Sequence, residues 1–283
     1  MIAQCIFEGL VIGSVLALIS MGIALIWGVM NVISFSQGEF LMIGMYVAFF
    51  LNQKLGLDPI VSIPLSMLVL FMLGIIIYKT FISRALRGPV LSQRLITFAL
   101  SMVLVNGMLM LFSSEFRTIP KVMFSGTIHL GTLIISKEKL VPMISALLIT
   151  IALFFFINKT KYGKAIRATA MNKDAAELVG INTEFSFMLA FGISSAIAGA
   201  GGCILSYYYY ITPTIGSSFL LFGFIAVALG GFGSIFGAFI GGLLMGLVDV
   251  FAGVYFNTAF KYVAVCVLFI LVVSFKPKGL FGK

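Results

Sequence analysis

Charge is what this sequence has least of. Only 10% of its 283 residues are Asp, Glu, Lys or Arg, against 61% that are hydrophobic. That imbalance excludes a soluble domain, because a chain of this length cannot hide so much apolar surface in one water-surrounded core and must be solvated by lipid. Histidine occurs once, at His129, and the three cysteines, Cys5, Cys203 and Cys266, are far apart and odd in number. A disulfide framework and a metal site are both disfavoured. No Lys or Arg precedes Lys54, so the positive n-region of a cleavable signal peptide is missing and the first apolar run is expected to be kept as a transmembrane helix. The glycine-rich stretch 230–242 lacks a Gly-Lys-Ser/Thr ending, which excludes a phosphate loop.

What is present is a series of long apolar runs, with a mean hydropathy of +1.19. Backbone groups in hydrocarbon must be paired within a helix or a closed barrel, and these runs are too long for barrel strands. The expected fold class is therefore all-α: a polytopic helical membrane protein forming one transmembrane domain over residues 1–283, with eight or nine crossings. The net charge of +9 would suit nucleic acid, but its placement argues against that partner. Twelve of the 18 basic residues fall in three short segments: Lys79, Arg84, Arg87 and Arg94; Lys159, Lys161, Lys164, Arg167 and Lys173; Lys276, Lys278 and Lys283. The positive-inside rule puts all three on the cytoplasmic face and the C-terminus inside. The charge encodes topology.

Taken in order, Ile6 to Trp27 makes a first span, with Gly9, Gly13, Ala17 and Ser20 spaced for close helix packing. The run breaks over 28–38, where Asn31, Ser34, Ser36 and Gln37 interrupt apolar sequence and Gly38 and Glu39 head the next run. Polar groups at such depth are tolerated where they are buried in protein or line a wet cavity. One reading makes Asn31, Ser34, Ser36, Gln37, Gly38 and Glu39 part of a translocation path or its gate. The other makes them a cytoplasmic turn with Glu39 solvated near a helix N-terminus. Phe40 to about Leu51 is short for a crossing, which takes about 20 residues, so it either begins deeper in the break or stays re-entrant.

Residues 60–78 and 95–112 cross next, with Asn106 in mid-span either bridging helices or facing the path. Residues 113–140 are not apolar, and the partial alternation of Thr127 to Ser136 predicts a small external hairpin carrying His129. Pro142 to Ile157 returns the chain, and Phe185 to Tyr207 crosses outward with a small-residue face. Tyr207 to Tyr210 fits an interfacial anchor belt. Phe219 to Leu229 precedes the glycine-rich stretch, and Asp249 lies inside the following span, an acid that needs a partner or water and joins the path candidates. Were the chain built from two inverted halves, 28–38 and 230–242 would be corresponding broken helices around a midplane site. Tyr262 to Phe275 is the last span.

Tyr162 to Ile181 is the one long polar helix-forming passage. One helical piece runs to about Ala170, a break falls at Met171-Asn172, and a second piece runs from Lys173 to Val179. Asn172 has N-cap chemistry, Asp174 puts negative charge in the first turn, and Gly180 supplies a left-handed residue past the end. Ala175 and Ala176 leave room for a partner's backbone, with Lys173, Asp174 and Glu177 solvated. By composition alone the passage is equally an ordinary polar connection between membrane helices.

Asp174-Ala-Ala-Glu-Leu-Val-Gly180 resembles the EAA loop of ABC importer permeases, with Asp in place of Glu. Its lead-in, Tyr162-Gly-Lys-Ala-Ile-Arg-Ala-Thr-Ala, resembles the form found in the branched-chain amino acid permease family, in its smaller, high-affinity permease subunit. Asn31-Val-Ile-Ser-Phe-Ser-Gln-Gly-Glu-Phe-Leu-Met-Ile-Gly44 and Gly230-Gly-Phe-Gly-Ser-Ile-Phe-Gly-Ala are similar to two further motifs of that family, in the same chain order.

The resemblance implies a permease subunit of an ABC importer that moves branched-chain or related hydrophobic amino acids across the cytoplasmic (inner) membrane. ATP hydrolysis would belong to partner chains, and this chain would bind no cofactor. Residues 159–183 would be the cytoplasmic coupling loop, with Gly163, Arg167, Asn172, Asp174, Ala175, Ala176 and Gly180 as its working positions. The implied partners are a second permease subunit, two ABC ATPase subunits and a periplasmic or surface-tethered substrate-binding protein received at the external 113–140 region, besides the lipid bilayer. Related families carry other amino acids, urea or short amides, and nothing in Asn31 to Glu39 fixes the choice. The residues by themselves leave open an ion-coupled secondary transporter or channel for a small polar solute, using Glu39 and Asp249. An intramembrane enzyme is disfavoured, since no paired aspartates, His-Glu metal spacing or Ser-Lys setting stands in the sequence.

Overall fold

The computed structural model describes residues 2–120, 122–124, 126–130, 133–256, 260–276 and 279–282, and of 128–130, 133, 134 and 260 the backbone alone. The apolar runs are helices, because a helix satisfies every backbone group within its own segment. In chain order they are α1 (Ile2–Met30), α2 (Gln37–Leu55) and α3 (Pro59–Ile77), which continues through a π turn (Tyr78–Ile82) into α4 (Ser83–Ala85), and then α5 (Val90–Phe112). A hairpin of β1 (Thr127–Leu130) and β2 (Leu133–Ser136) precedes α6 (Lys137–Lys159), α7 (Lys161–Met171) and α8 (Lys173–Leu178). Then come α9 (Thr183–Leu205), α10 (Ile215–Gly230), α11 (Ile235–Tyr255) and α12 (Phe260–Phe275). Among the described residues, six helical stretches are long and apolar enough to cross a membrane: α1, α3 through α4, α5, α6, α9 and α11; α10 and the described part of α12 are shorter apolar helices.

Helix α1 is the axis of the bundle, buried along most of its length and packed on α9, α10 and α11. Its outer neighbours are more exposed, and few residues of α5 are buried within this chain. Asn106 follows from that: it lies on the exposed face of α5 and its Nδ2 donates to its own helix, to Met102 O at 2.8 Å. The expected hairpin is present, antiparallel in the register Thr127↔Ser136 to Leu130↔Leu133. The first turn of α6, which follows it, is tied to α1 through Lys139 Nζ, 3.0 Å from Glu8 Oε1. The side chain of His129 lies outside the described residues.

Two expectations need correction. The glycine-rich stretch is not a broken helix. Residues 231–234 form the turn between α10 and α11, with Gly231 and Gly233 at positive φ of 105° and 82°. The chain end packs against this turn, Leu280 N donating to Leu229 O at 2.8 Å and Phe281 N to Gly230 O at 3.0 Å; Lys278 and Lys283 lie outside the described residues. Nor is Tyr207 to Tyr210 a lipid-facing belt. Tyr207 is buried, its hydroxyl 3.3 Å from Asp58 Oδ2, and Tyr208 to Tyr210 line a cavity.

Candidate functional site

The polar break is formed by a chain that turns back into the protein. Helix α1 ends at Met30, and Asn31 takes a left-handed φ of 55° and is exposed. The next residues run inward, where Thr97 Oγ1 on α5 donates to Ile33 O at 3.0 Å. Helix α2 then starts at Gln37, beside Ser194 at the midpoint of α9. Ser194 Oγ lies 3.1 Å from Gln37 Oε1 and 2.7 Å from Gly22 O. From there α2 is one unbroken helix of 19 residues that ends at Gly56, at a φ of 65°. It thus begins deep in the break, in the first of the two ways the sequence allowed.

This geometry removes the solvated reading of Glu39. Ser34, Ser36, Gln37 and Glu39 are each at most 1% exposed, so none is a solvated turn residue. The Ser34 and Ser36 hydroxyls pair at 3.1 Å, and Glu39 Oε1 accepts from Ser101 Oγ on α5 at 3.0 Å. Gln37 Nε2 and Glu39 Oε2 are buried with no hydrogen-bond partner among the described residues. An unmet buried polar group costs about 1–3 kcal/mol, and more when charged, so two on one helical turn mark a place kept for something polar. The site is narrow because Gly38 meets α10 backbone to backbone: a Cβ there would strike the carbonyl oxygen of Gly216.

At the end of the bundle where α9 begins, α7 and α8 form a polar arm. The cap chemistry holds as expected. Asn172 Oδ1 accepts from Ala175 N at 3.0 Å, and Gly180, at a φ of 83°, closes a Schellman turn with Ile181 N donating to Ala176 O at 3.0 Å. The corner into the arm is braced by Thr160, whose Oγ1 accepts from Gly163 N at 3.0 Å, and by Arg167, whose Nη1 donates to Asn158 Oδ1 at 3.1 Å. A Cβ at Gly163 would strike the Phe156 and Ile157 carbonyls. Gly163 is buried at this corner, while Arg167 braces it from an exposed position.

Ala176 also departs from expectation, being buried toward the bundle, while Asp174 and Ala175 are exposed. Glu177 is partly engaged, accepting from Thr183 Oγ1 at 2.6 Å. Sequence reasoning missed the apolar residues that the arm presents outward: Met171, Leu178 and Val179 are 88%, 89% and 75% exposed. The available signal was an apolar pair in an otherwise polar passage.

Asp249, on α11, is not one of the residues of the break. It lies at the other end of α9, where Lys261 Nζ on α12 stands 3.2 Å from its Oδ2. The pair lines a cavity of about 620 Å³ together with Tyr208 to Tyr210, the start of α10, and Phe219, Phe222 and Tyr262. Burial pushes the Tyr208 hydroxyl above its ordinary range, so it is a neutral phenol, and its oxygen has no hydrogen-bond partner among the described residues. The sequence-derived path residues thus separate into an exposed Asn31, a buried polar cluster beside the middle of α9, and an acid ion-paired near the end of α9.

A helical bundle that encloses buried, partly unmet polar groups and holds a capped polar arm clear at one end is a membrane transport component. The family described as "Branched-chain amino acid transport system / permease component" matches residues 5–273, and the chain belongs to that family. It is 33% identical to the high-affinity branched-chain amino acid transport system permease protein BraD of Pseudomonas aeruginosa, over 99% of this chain and 95% of that one. It is 34% identical to permease protein LivH of Escherichia coli, over the same shares of each chain. A probable branched-chain amino acid transport permease protein of Methanocaldococcus jannaschii is 29% identical over 91% of this chain and 83% of its own. These relatives are transport subunits and not enzymes.

Proposed function

We propose that this chain is the transmembrane permease subunit of an ATP-driven importer for branched-chain amino acids in the cytoplasmic membrane, with ATP bound and hydrolysed by two partner ATPases. The observation that carries the reading is the α7–α8 arm. It is a rigidly capped element whose outermost side chains, Met171, Leu178 and Val179, are apolar and exposed, as a socket in a partner requires. Asp174 and Ala175 flank them, and Asn172 and Gly180 hold the turn in shape. ATP-driven closure of the partners moves the arm, the arm moves α9 through the Glu177–Thr183 contact, and α9 carries Ser194 against the polar break. Solute then passes Ser34, Ser36, Gln37 and Glu39. A second permease subunit completes the path along the exposed α5 face, and a substrate-binding protein delivers at the hairpin end.

The ion-coupled alternative loses one of its two acids, because Asp249 is already neutralised by Lys261 at 3.2 Å. The test is uptake of labelled leucine into proteoliposomes holding the chain with its co-purified partners and the matching binding protein. ATP inside the compartment that holds the ATPases should drive accumulation. Uptake that ignores ATP but follows a sodium or proton gradient would replace the importer by a secondary transporter.

A further inference from the structure

The cavity at the hairpin end is built for a particular kind of molecule. Its walls are apolar and aromatic, from Phe219, Phe222 and Tyr262, yet it holds one full charge of each sign, Asp249 and Lys261, 3.2 Å apart. Such a pair is weak evidence of stability, since removing two charges from water costs as much as their attraction returns. Helix α10 adds a third polar feature. Its N-terminal end lines the cavity, and its N-cap residue, Thr214, makes no side-chain cap. First-turn amides and the positive end of the helix dipole favour a carboxylate there. The Tyr208 hydroxyl adds a buried polar atom with no hydrogen-bond partner among the described residues in the same wall. At about 620 Å³ the space falls within the usual range for small-molecule sites.

We infer that this cavity is a first binding site for a zwitterionic amino acid with an apolar side chain. Lys261 and the start of α10 receive its carboxylate, Asp249 its ammonium group, and the Phe219–Phe222–Tyr262 wall its side chain. The ligand opens the Asp249–Lys261 pair and replaces it with two pairs of its own. The site lies at the opposite end of α9 from the arm, so solute occupies it before reaching the Gln37–Glu39 break. This inference rests on the import reading and names where and how its substrate is first held.

The test is equilibrium binding of labelled leucine to the full chain in lipid nanodiscs, which needs no ATPase. Saturable binding is expected. 4-Methylpentanoate, which lacks the ammonium group, and 3-methylbutylamine, which lacks the carboxylate, should each compete at least about tenfold less well than unlabelled leucine. Asp249→Asn and Lys261→Met should each weaken leucine binding about tenfold or more. The exchanged pair, Asp249→Lys with Lys261→Asp, should not restore it, whereas a merely structural ion pair would be restored. Absence of wild-type binding at millimolar leucine, wild-type affinity in both single variants, or equal competition by the one-charge analogues would each overturn the proposal. ATP-driven uptake that survives in both variants would remove this site and leave the importer standing. Binding without any ATP-driven uptake would do the reverse.

Discussion

Gln37 Nε2 and Glu39 Oε2 are the residue-scale features with most consequence, because each is a buried polar atom with no partner among the described residues, next to a path that solute is proposed to follow. Glu39→Gln keeps the shape and removes the charge. The expected outcome is a loss of leucine uptake of about tenfold or more, with unchanged co-purification of the ATPases. Equal loss of assembly would make Glu39 a structural residue. Gly180 is a second single-residue lever, since its φ of 83° is one that a β-branched side chain adopts only under strain. Gly180→Val should cost about 1–3 kcal/mol locally and abolish uptake while the chain still accumulates in membranes. Normal uptake would remove the coupling role from the arm. At this scale the sequence was legible where chemistry is local: Asn172 and Gly180 act within four residues of themselves. It was silent on Ser101 as the partner of Glu39 and on Lys261 as the partner of Asp249, because those pairings depend on how separate helices meet.

Elements divide in the same way. That α8 exists, and where it starts and stops, follows from its caps, but which of its faces turns inward depends on α9. For that reason Ala176, taken from the sequence as open, is buried, and Leu178 and Val179 are exposed instead. The prediction at this scale is that Leu178→Asp with Val179→Asp eliminates ATPase co-purification. Thermal stability of the detergent-solubilised chain should barely move, since exposed substitutions stay within about 0.5 kcal/mol. A large fall in melting temperature would mean that these side chains pack within the chain after all. Helix α2 gives the converse case. Gly38→Leu would force its start away from the Gly216 backbone, an overpacking that costs about 1–3 kcal/mol, and should lower the melting temperature. The Tyr207 to Tyr210 cluster was misread at this level because an interfacial belt and a buried wall have the same composition and differ in what packs opposite, Asp58 for Tyr207 and α10, α11 and α12 for the rest.

For the whole molecule, the charge pattern read from the sequence has a spatial counterpart. The basic residues of α7 and α8 sit where α9 starts, and the hairpin and the ion-paired cavity lie where it ends. Cysteine placed at Lys173 should therefore react with a membrane-impermeant maleimide only from the cytoplasmic side, and cysteine at Glu138 only from the other. Labelling of both from one side would invert or break the assigned topology. The count of crossings was less legible than the class, since α2 begins inside the protein and α10 is short, so neither announces itself as a full apolar run.

On the proposed function, partner ATPases move this permease through the α7–α8 arm. Affinity purification of the tagged chain from native membranes, with identification of the co-purifying proteins, tests it most directly. The account predicts an ATP-binding-cassette ATPase and a second hydrophobic permease with the wild-type chain, and loss of the ATPase alone with the Leu178→Asp, Val179→Asp variant. A homo-oligomer without any ATPase, transporting in liposomes on an ion gradient, would contradict it.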